Sequence, residues 1–222
     1  MTMKKIMIYL FALMPLMVQA QCGIENTAFK SGEVLEYDLK FNWKLIWFTV
    51  GTATMDTKMT KFEGKDAWRS YLITRGNNTL DKYFMMRDTL LSYCNPDLSP
   101  LYFRKGAREG SRYYVDEVWY SYPGGNCQLK KHSIDADGQV HWKTSTYKNC
   151  IYDMMSIFLR ARNFDATKLK KGEVIPMPIS DARHLSNSWL SYRGKTNFKM
   201  DSTKEKFKLR SEERRVGKEC RS

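Results

Sequence analysis

A chain of 222 residues with 42% hydrophobic, 27% charged and 14% aromatic side chains is long enough for one globular domain, and its composition excludes a disordered or collagen-like polymer. The formal charge of +13 is inflated by both ends; residues 21–209 alone carry 30 basic and 21 acidic side chains, an excess of +9. Outside the cytosol such an excess meets anionic head groups, acidic polysaccharide or envelope proteins, so no nucleic-acid role is expected.

At the N-terminus Lys4 and Lys5 precede a 13-residue apolar run, Ile6 to Val18, that closes on Val18-Gln19-Ala20. This reads as a secretory signal peptide, residues 1–20, cleaved between Ala20 and Gln21. The run falls short of the ~20 apolar residues that cross a bilayer as a helix, so no transmembrane segment is expected once the signal is removed. The predicted location is periplasmic or outer-membrane associated. Cys22 invites a lipid anchor, but Gln19 and Gln21 stand where a lipoprotein signal keeps small residues, which argues against acylation. Residues 21–31 read as a linker and 32–209 as the domain. Residues 210–222 hold one branched apolar residue and no periodicity; they look like a translated sequencing adapter and are set aside as an artefact, the natural chain being expected to continue past Leu209.

Glu33 to Trp43 alternates Leu35, Tyr37, Leu39, Phe41 and Trp43 with mostly polar neighbours, the period-two pattern of a strand with one wet face. Leu45 to Met55 is apolar on both faces, with a bend or bulge expected at Gly51, and Phe62-Glu63-Gly64-Lys65 turns the chain. Further strands are predicted over 68–74, 83–93, 101–105, 113–122, 127–132, 140–147 and 189–192, with a last piece near Phe198. One segment differs: over 151–162, Met154, Ile157, Phe158 and Ala161 recur at helical spacing behind Asp153, a capping residue. Its stripe is expected to lie on the concave face of a curved sheet. Pro176 and Pro178 demote the run after it to an edge strand or loop. The predicted fold class is mainly β: an antiparallel curved sheet, as half-barrel, barrel or sandwich, with one packed helix.

Without the tail, four cysteines remain, namely Cys22, Cys94, Cys127 and Cys150. Their wide spacing and only three histidines argue against structural zinc. The Asp137-Gly138 turn folds Cys127 back opposite residues 146–148, which predicts a Cys127–Cys150 disulfide.

The stretch Gly32 to Thr54, with Met86-Arg87-Asp88, Pro100 to Arg104, Glu109-Gly110 and Tyr152 to Ser156, resembles the domain of unknown function 3108 family of exported Gram-negative proteins. The resemblance implies a β-rich envelope protein and assigns no catalytic residue. Nor does the chain contain G-x-S-x-G, H-E-x-x-H, G-x-x-x-x-G-K or G-x-G-x-x-G, so an enzyme is not expected, and no cofactor or metal is expected either. Charged residues inside strands remain: Arg87 with Asp88, Arg104, Glu109, and Asp116 with Glu117. Arg87, in apolar company, needs a carboxylate, with Glu109 or Asp116 as cross-strand candidates, or an anionic ligand. With Trp43 and Trp47 from a large aromatic supply, Arg87, Arg104 and Glu109 form the predicted ligand-binding set. The expected function is non-enzymatic binding of a lipid-like or glycan-like ligand; the alternatives are docking on an outer-membrane or other envelope partner, and an envelope hydrolase. An acyl carrier needs a dry cavity between sheet and helix, whereas a glycan binder needs exposed rings flanked by polar groups.

Overall fold

The computed structural model describes residues 22–43, 46–82, 85–199 and 206–216; the predicted signal peptide and its cleavage site at Ala20 and Gln21 lie outside them. Eight strands follow one another along the chain: β1 (Glu33–Trp43), β2 (Ile46–Phe62), β3 (Lys65–Gly76), β4 (Met86–Cys94), β5 (Pro100–Glu109), β6 (Arg112–Ser121), β7 (Cys127–Ile134) and β8 (Val140–Tyr147). Each pairs antiparallel with the next, giving one sheet in sequential order with open edges at β1 and β8. Tight turns make this possible. Between β2 and β3, Glu63 and Gly64 both take positive φ, at 50° and 81°, the two-residue hairpin turn that suits strand twist.

The irregularity expected at Gly51 is present. The β1–β2 register slips between Leu39 and Lys40, where Leu39 opposes Gly51 and Lys40 opposes Thr49. A Cβ on Gly51 would sit 2.2 Å from the carbonyl oxygen of Arg75, so only glycine admits this close approach.

A four-residue helix, α1 (Asn78–Asp81), lies between β3 and β4, and α2 (Met154–Arg162) follows β8. The chain then forms β9 (Val174–Pro176), β10 (Ile179–Ser180), β11 (Leu185–Ser186), β12 (Ser188–Lys199) and β13 (Lys206–Val216). β9, β12 and β13 make a second sheet in the order β13-β12-β9, while β10 and β11 pair with each other. Proline-bearing β9 is an edge strand, as its missing N–H requires. β13 runs through 210–216, part of the segment set aside above, and pairs with β12 along its length.

α2 packs on two sides. Met155 and Leu159 join Phe103, Val118 and Leu129 in the core of the large sheet; Phe103, Val118, Leu129 and Leu159 are fully buried, each contributing about 1.5–3 kcal/mol of transfer free energy. Ile157 and Ala161 instead meet Met177, Ile179 and Leu190 beside the second sheet, and Met154 touches both clusters. The stripe 154/157/158/161 therefore does not make the main contact with the large sheet, and Phe158 is 38% exposed. Helical spacing alone predicts a single stripe against one sheet; with sheets on both sides the helix buries two.

The N-terminal segment is a strap over this assembly. Cys22 is disulfide-bonded to Cys150, and the Arg160 guanidinium donates to the Cys22 carbonyl at 2.9 Å. Asn163 Oδ1 accepts from the N–H groups of Thr27 and Ala28, at 2.6 and 3.0 Å. Phe29 enters the core edge-on against Trp68, and Arg162 forms a two-pronged ion pair with Glu33.

Candidate functional site

On the sheet face away from α2, strand register assembles side chains distant in sequence. One cross-strand row reads Tyr93, Tyr102, Trp119 and Lys130, from β4 to β7. The row beside it reads Arg104, Glu117, His132 and Trp142, from β5 to β8. Their rings are contiguous. Phe62 lies 4.6 Å from Tyr93 and 5.9 Å from Tyr102; Tyr102 is 5.3 Å from Trp119, Trp119 5.8 Å from Trp142, and Trp142 4.4 Å from His132. Trp142, on the edge strand, is 55% exposed, and the Lys130 ammonium sits 4.9 Å over its ring.

Glu117 stands at the centre of this surface. Its Oε1 accepts from the Tyr102 hydroxyl at 2.5 Å, its Oε2 lies 2.7 Å from His132 Nδ1, and Arg104 Nε is 3.9 Å away. Partial burial and the neighbouring carboxylate push the Tyr102 phenol up, so it remains a donor at neutral pH. The contact with a carboxylate orients the imidazole with Nδ1 toward Glu117 and leaves Nε2 for another partner. Aromatic surface, a fixed carboxylate, an imidazole and two cations thus lie side by side. A third row on the same face, Arg75, Arg87 and Arg108, adds positive charge nearer the far end of the sheet.

Of the predicted binding set, Arg104 belongs to this cluster. The guanidinium of Arg87 takes both oxygens of Asp81 in α1, at 2.9 and 2.5 Å, a partner other than the cross-strand candidates. The short helix, which strand periodicity did not reveal, supplies that carboxylate. Asp116 points to the opposite face and accepts from Arg183 at 2.7 Å. Glu109 opposes Met86 and Arg112 in the backbone register; its side chain, like those of Trp43 and Trp47, lies outside the described residues. In the backbone register Trp43 and Trp47 belong to the β1–β2 hairpin end, whereas Phe62 closes β2 at its other end. His132, Trp119, Trp142 and Tyr102 were not singled out from sequence; the usable signal was the Asp137-Gly138 turn, whose register places His132 opposite Trp142.

The predicted Cys127–Cys150 bridge is corrected. The hairpin register does place Cys127 opposite Tyr147, as expected. Past Tyr147 the chain bends, and Cys150 bonds to Cys22, while Cys127 and Cys94 are free and buried. Cys127 Sγ faces the Ile151 carbonyl at 4.0 Å, and burial pushes both thiols up, which keeps them unreactive.

An apolar notch of about 220 Å³ remains between α2 and β12, lined by Met154, Ile157, Phe158, Ala161, Trp189 and Leu190. It is smaller than the ~300–1,000 Å³ of ordinary ligand pockets. Among the described residues no cluster of His, Cys, Asp and Glu could hold a metal, and no helix is long and apolar enough to cross a membrane.

No curated protein and no solved structure matches the chain. A family model described as protein of unknown function (DUF3108) matches residues 36–219, which takes in most of β1, all of β2 to β8 and the three surface rows. On that match, the chain belongs to the DUF3108 family.

Proposed function

We propose that this protein is an exported, non-enzymatic component of the cell envelope that binds an anionic glycan on the outer face of its large sheet. The observation that carries this reading is the row of rings from Phe62 to Trp142, bordered by Arg104, Glu117, His132 and Lys130. Rings take the apolar faces of sugars, while guanidinium, ammonium and carboxylate groups meet hydroxyls and acidic substituents. An acyl chain is the poorer occupant, because Phe103, Leu129, Met155 and Leu159 fill the space between sheet and α2. A periplasmic rather than lipid-anchored form suits the disulfide: the sulfur of Cys22 is shared with Cys150, and thioether acylation would need it free. Intact-mass analysis of the exported protein should therefore show an unacylated N-terminus.

Titration with oligogalacturonate as the acidic probe, followed by tryptophan fluorescence, tests the binding reading. Wild type should respond, Trp142→Ala should bind about tenfold more weakly, and Arg104→Ala should lose preference for the acidic probe over a neutral cello-oligosaccharide. Equal weak binding of both probes by all three proteins would reject it. The second reading, docking on an outer-membrane partner, rests on the open edge of β8, where Val140 and Trp142 are more than half exposed. Cross-linking from β8 to one envelope protein, with no glycan response, would favour it.

A further inference from the structure

Alternation puts Tyr102, Arg104, Gly106 and Arg108 of β5 on the outer sheet face, so this one strand runs from the ring row to the arginine row. Gly106, between the two arginines, brings no side chain of its own, and three neighbours meet above it. Arg104 has Glu117 at 3.9 Å from its Nε, and its Nη1 lies 3.2 Å from where a Cβ on Gly106 would stand. The Tyr113 hydroxyl of β6 comes within 3.2 Å of the same point. From β4 the Thr89 hydroxyl comes within 3.1 Å of it while donating to the Gly106 carbonyl. A guanidinium and a phenol thus converge as donors, and the Thr89 oxygen offers lone pairs beside them. Tyr113 is also the last member of the arginine row, in which Arg75, Arg87, Arg108 and Tyr113 stand directly opposite one another from β3 to β6. Side chains so placed have Cβ atoms about 4.5–5.5 Å apart and reach a common ligand. Asp81 neutralises Arg87, whereas among the described residues Arg75 and Arg108 have no ion pair, and both are exposed. The carboxylates along this path are engaged: Glu117 by Tyr102 and His132, Asp81 by Arg87. Asp38, in the same row on β1, stands two strands beyond Arg75.

We propose that the Gly106 cradle and Arg108 form a second subsite, which takes the carboxylates of an extended chain of uronic acid units lying along β5 from the rings toward the arginine row. Guanidinium groups match carboxylates by charge-assisted hydrogen bonds, and a phenol adds a neutral donor. The inference rests on the glycan reading of the ring surface and adds to it a direction and a minimum length. Tyr102 and Arg108 are six residues apart on β5, about 20 Å, a span that a disaccharide does not cover.

Calorimetric titration of the full chain with the galacturonate dimer and hexamer tests it. Wild type should bind the hexamer about tenfold more tightly than the dimer, because only the longer chain reaches both stations. Arg108→Ser, at an exposed position, should remove most of that gain and leave dimer binding unchanged. Tyr113→Phe keeps the ring and deletes one donor, and should weaken the hexamer about threefold with the dimer again unchanged. Lys58→Ser, exposed on the same face of β2 but off this path, should keep the full gain. A gain undiminished in Arg108→Ser, or lost to the same degree in Lys58→Ser, would overturn the subsite, the latter by assigning the gain to diffuse charge. The ring surface is judged separately by the dimer. Dimer binding that depends on Trp142, with no gain for the hexamer in wild type, would reject the subsite and leave the ring reading standing; no binding of either probe would remove both.

Discussion

Asp153 joins the two layers at a single side chain. Fully buried, it caps α2 by accepting from the N–H groups of Met155 and Ser156 at 2.8 Å, and it also accepts from the Ser92 hydroxyl of β4 at 3.2 Å. Asp153→Ala should cost about 2 kcal/mol or more, through loss of the cap and orphaning of buried donors, measurable by urea unfolding. Burial outweighs those hydrogen bonds and pushes its carboxyl above the ordinary range. The folded chain therefore keeps this proton to higher pH than the unfolded chain, whose aspartates titrate near about 3.9. Stability contributed through Asp153 is greatest below that value and declines as pH rises through the folded pKa. Unfolding curves of wild type and Asp153→Asn should accordingly diverge with rising pH, the asparagine variant losing less. Close by, the hydroxyl of Tyr120 is buried without a hydrogen-bond partner among the described residues. Tyr120→Phe removes that orphan, and a gain of about 1 kcal/mol in the same assay is expected.

At the scale of elements, the strap and α2 depend on each other. The disulfide spans 128 residues, a loop long enough for cross-linking to restrict the unfolded chain strongly. Cys150→Ser should lower stability by about 3–5 kcal/mol. Non-reducing peptide mapping should recover Cys22 joined to Cys150, with Cys94 and Cys127 alkylated only after denaturation. The ion pair of Arg162 with Glu33 holds the carboxylate below its usual range, so its support of the strap is present near neutrality and lost as pH falls through the lowered folded pKa. Acid should thus loosen the strap before the β5–β7 core, visible as earlier hydrogen exchange over residues 22–33.

The whole molecule has an open sheet with two differently equipped faces. One is covered by α2; the other carries the aromatic and arginine rows. An excess of +9 over residues 21–209 adds long-range charge attraction to the ring contacts proposed for an acidic glycan. Ionic strength separates their contributions. Raising salt from about 0.05 to 0.5 M should weaken the acidic glycan more than the neutral one, because screening acts on Arg104 and Lys130 and not on ring contacts.

Local rules were enough to reveal the strand-rich class, the course of β1, the kink at Gly51, the β7–β8 hairpin, the edge character of β9 and the capped start of α2. Each depends on alternation, turn chemistry or capping within about a dozen residues. Membership of the family, too, was legible in the linear order of residues. What only tertiary structure decided is which distant groups meet: Cys150 with Cys22 instead of Cys127, Arg87 with Asp81 of a helix four residues long, and α2 between two sheets instead of on one. The surface rows belong to the same category. Arg104, Glu117, His132 and Trp142 sit on four strands, and their alignment follows from the accumulated register of three hairpins, where a slip of one residue would send each side chain to the opposite face.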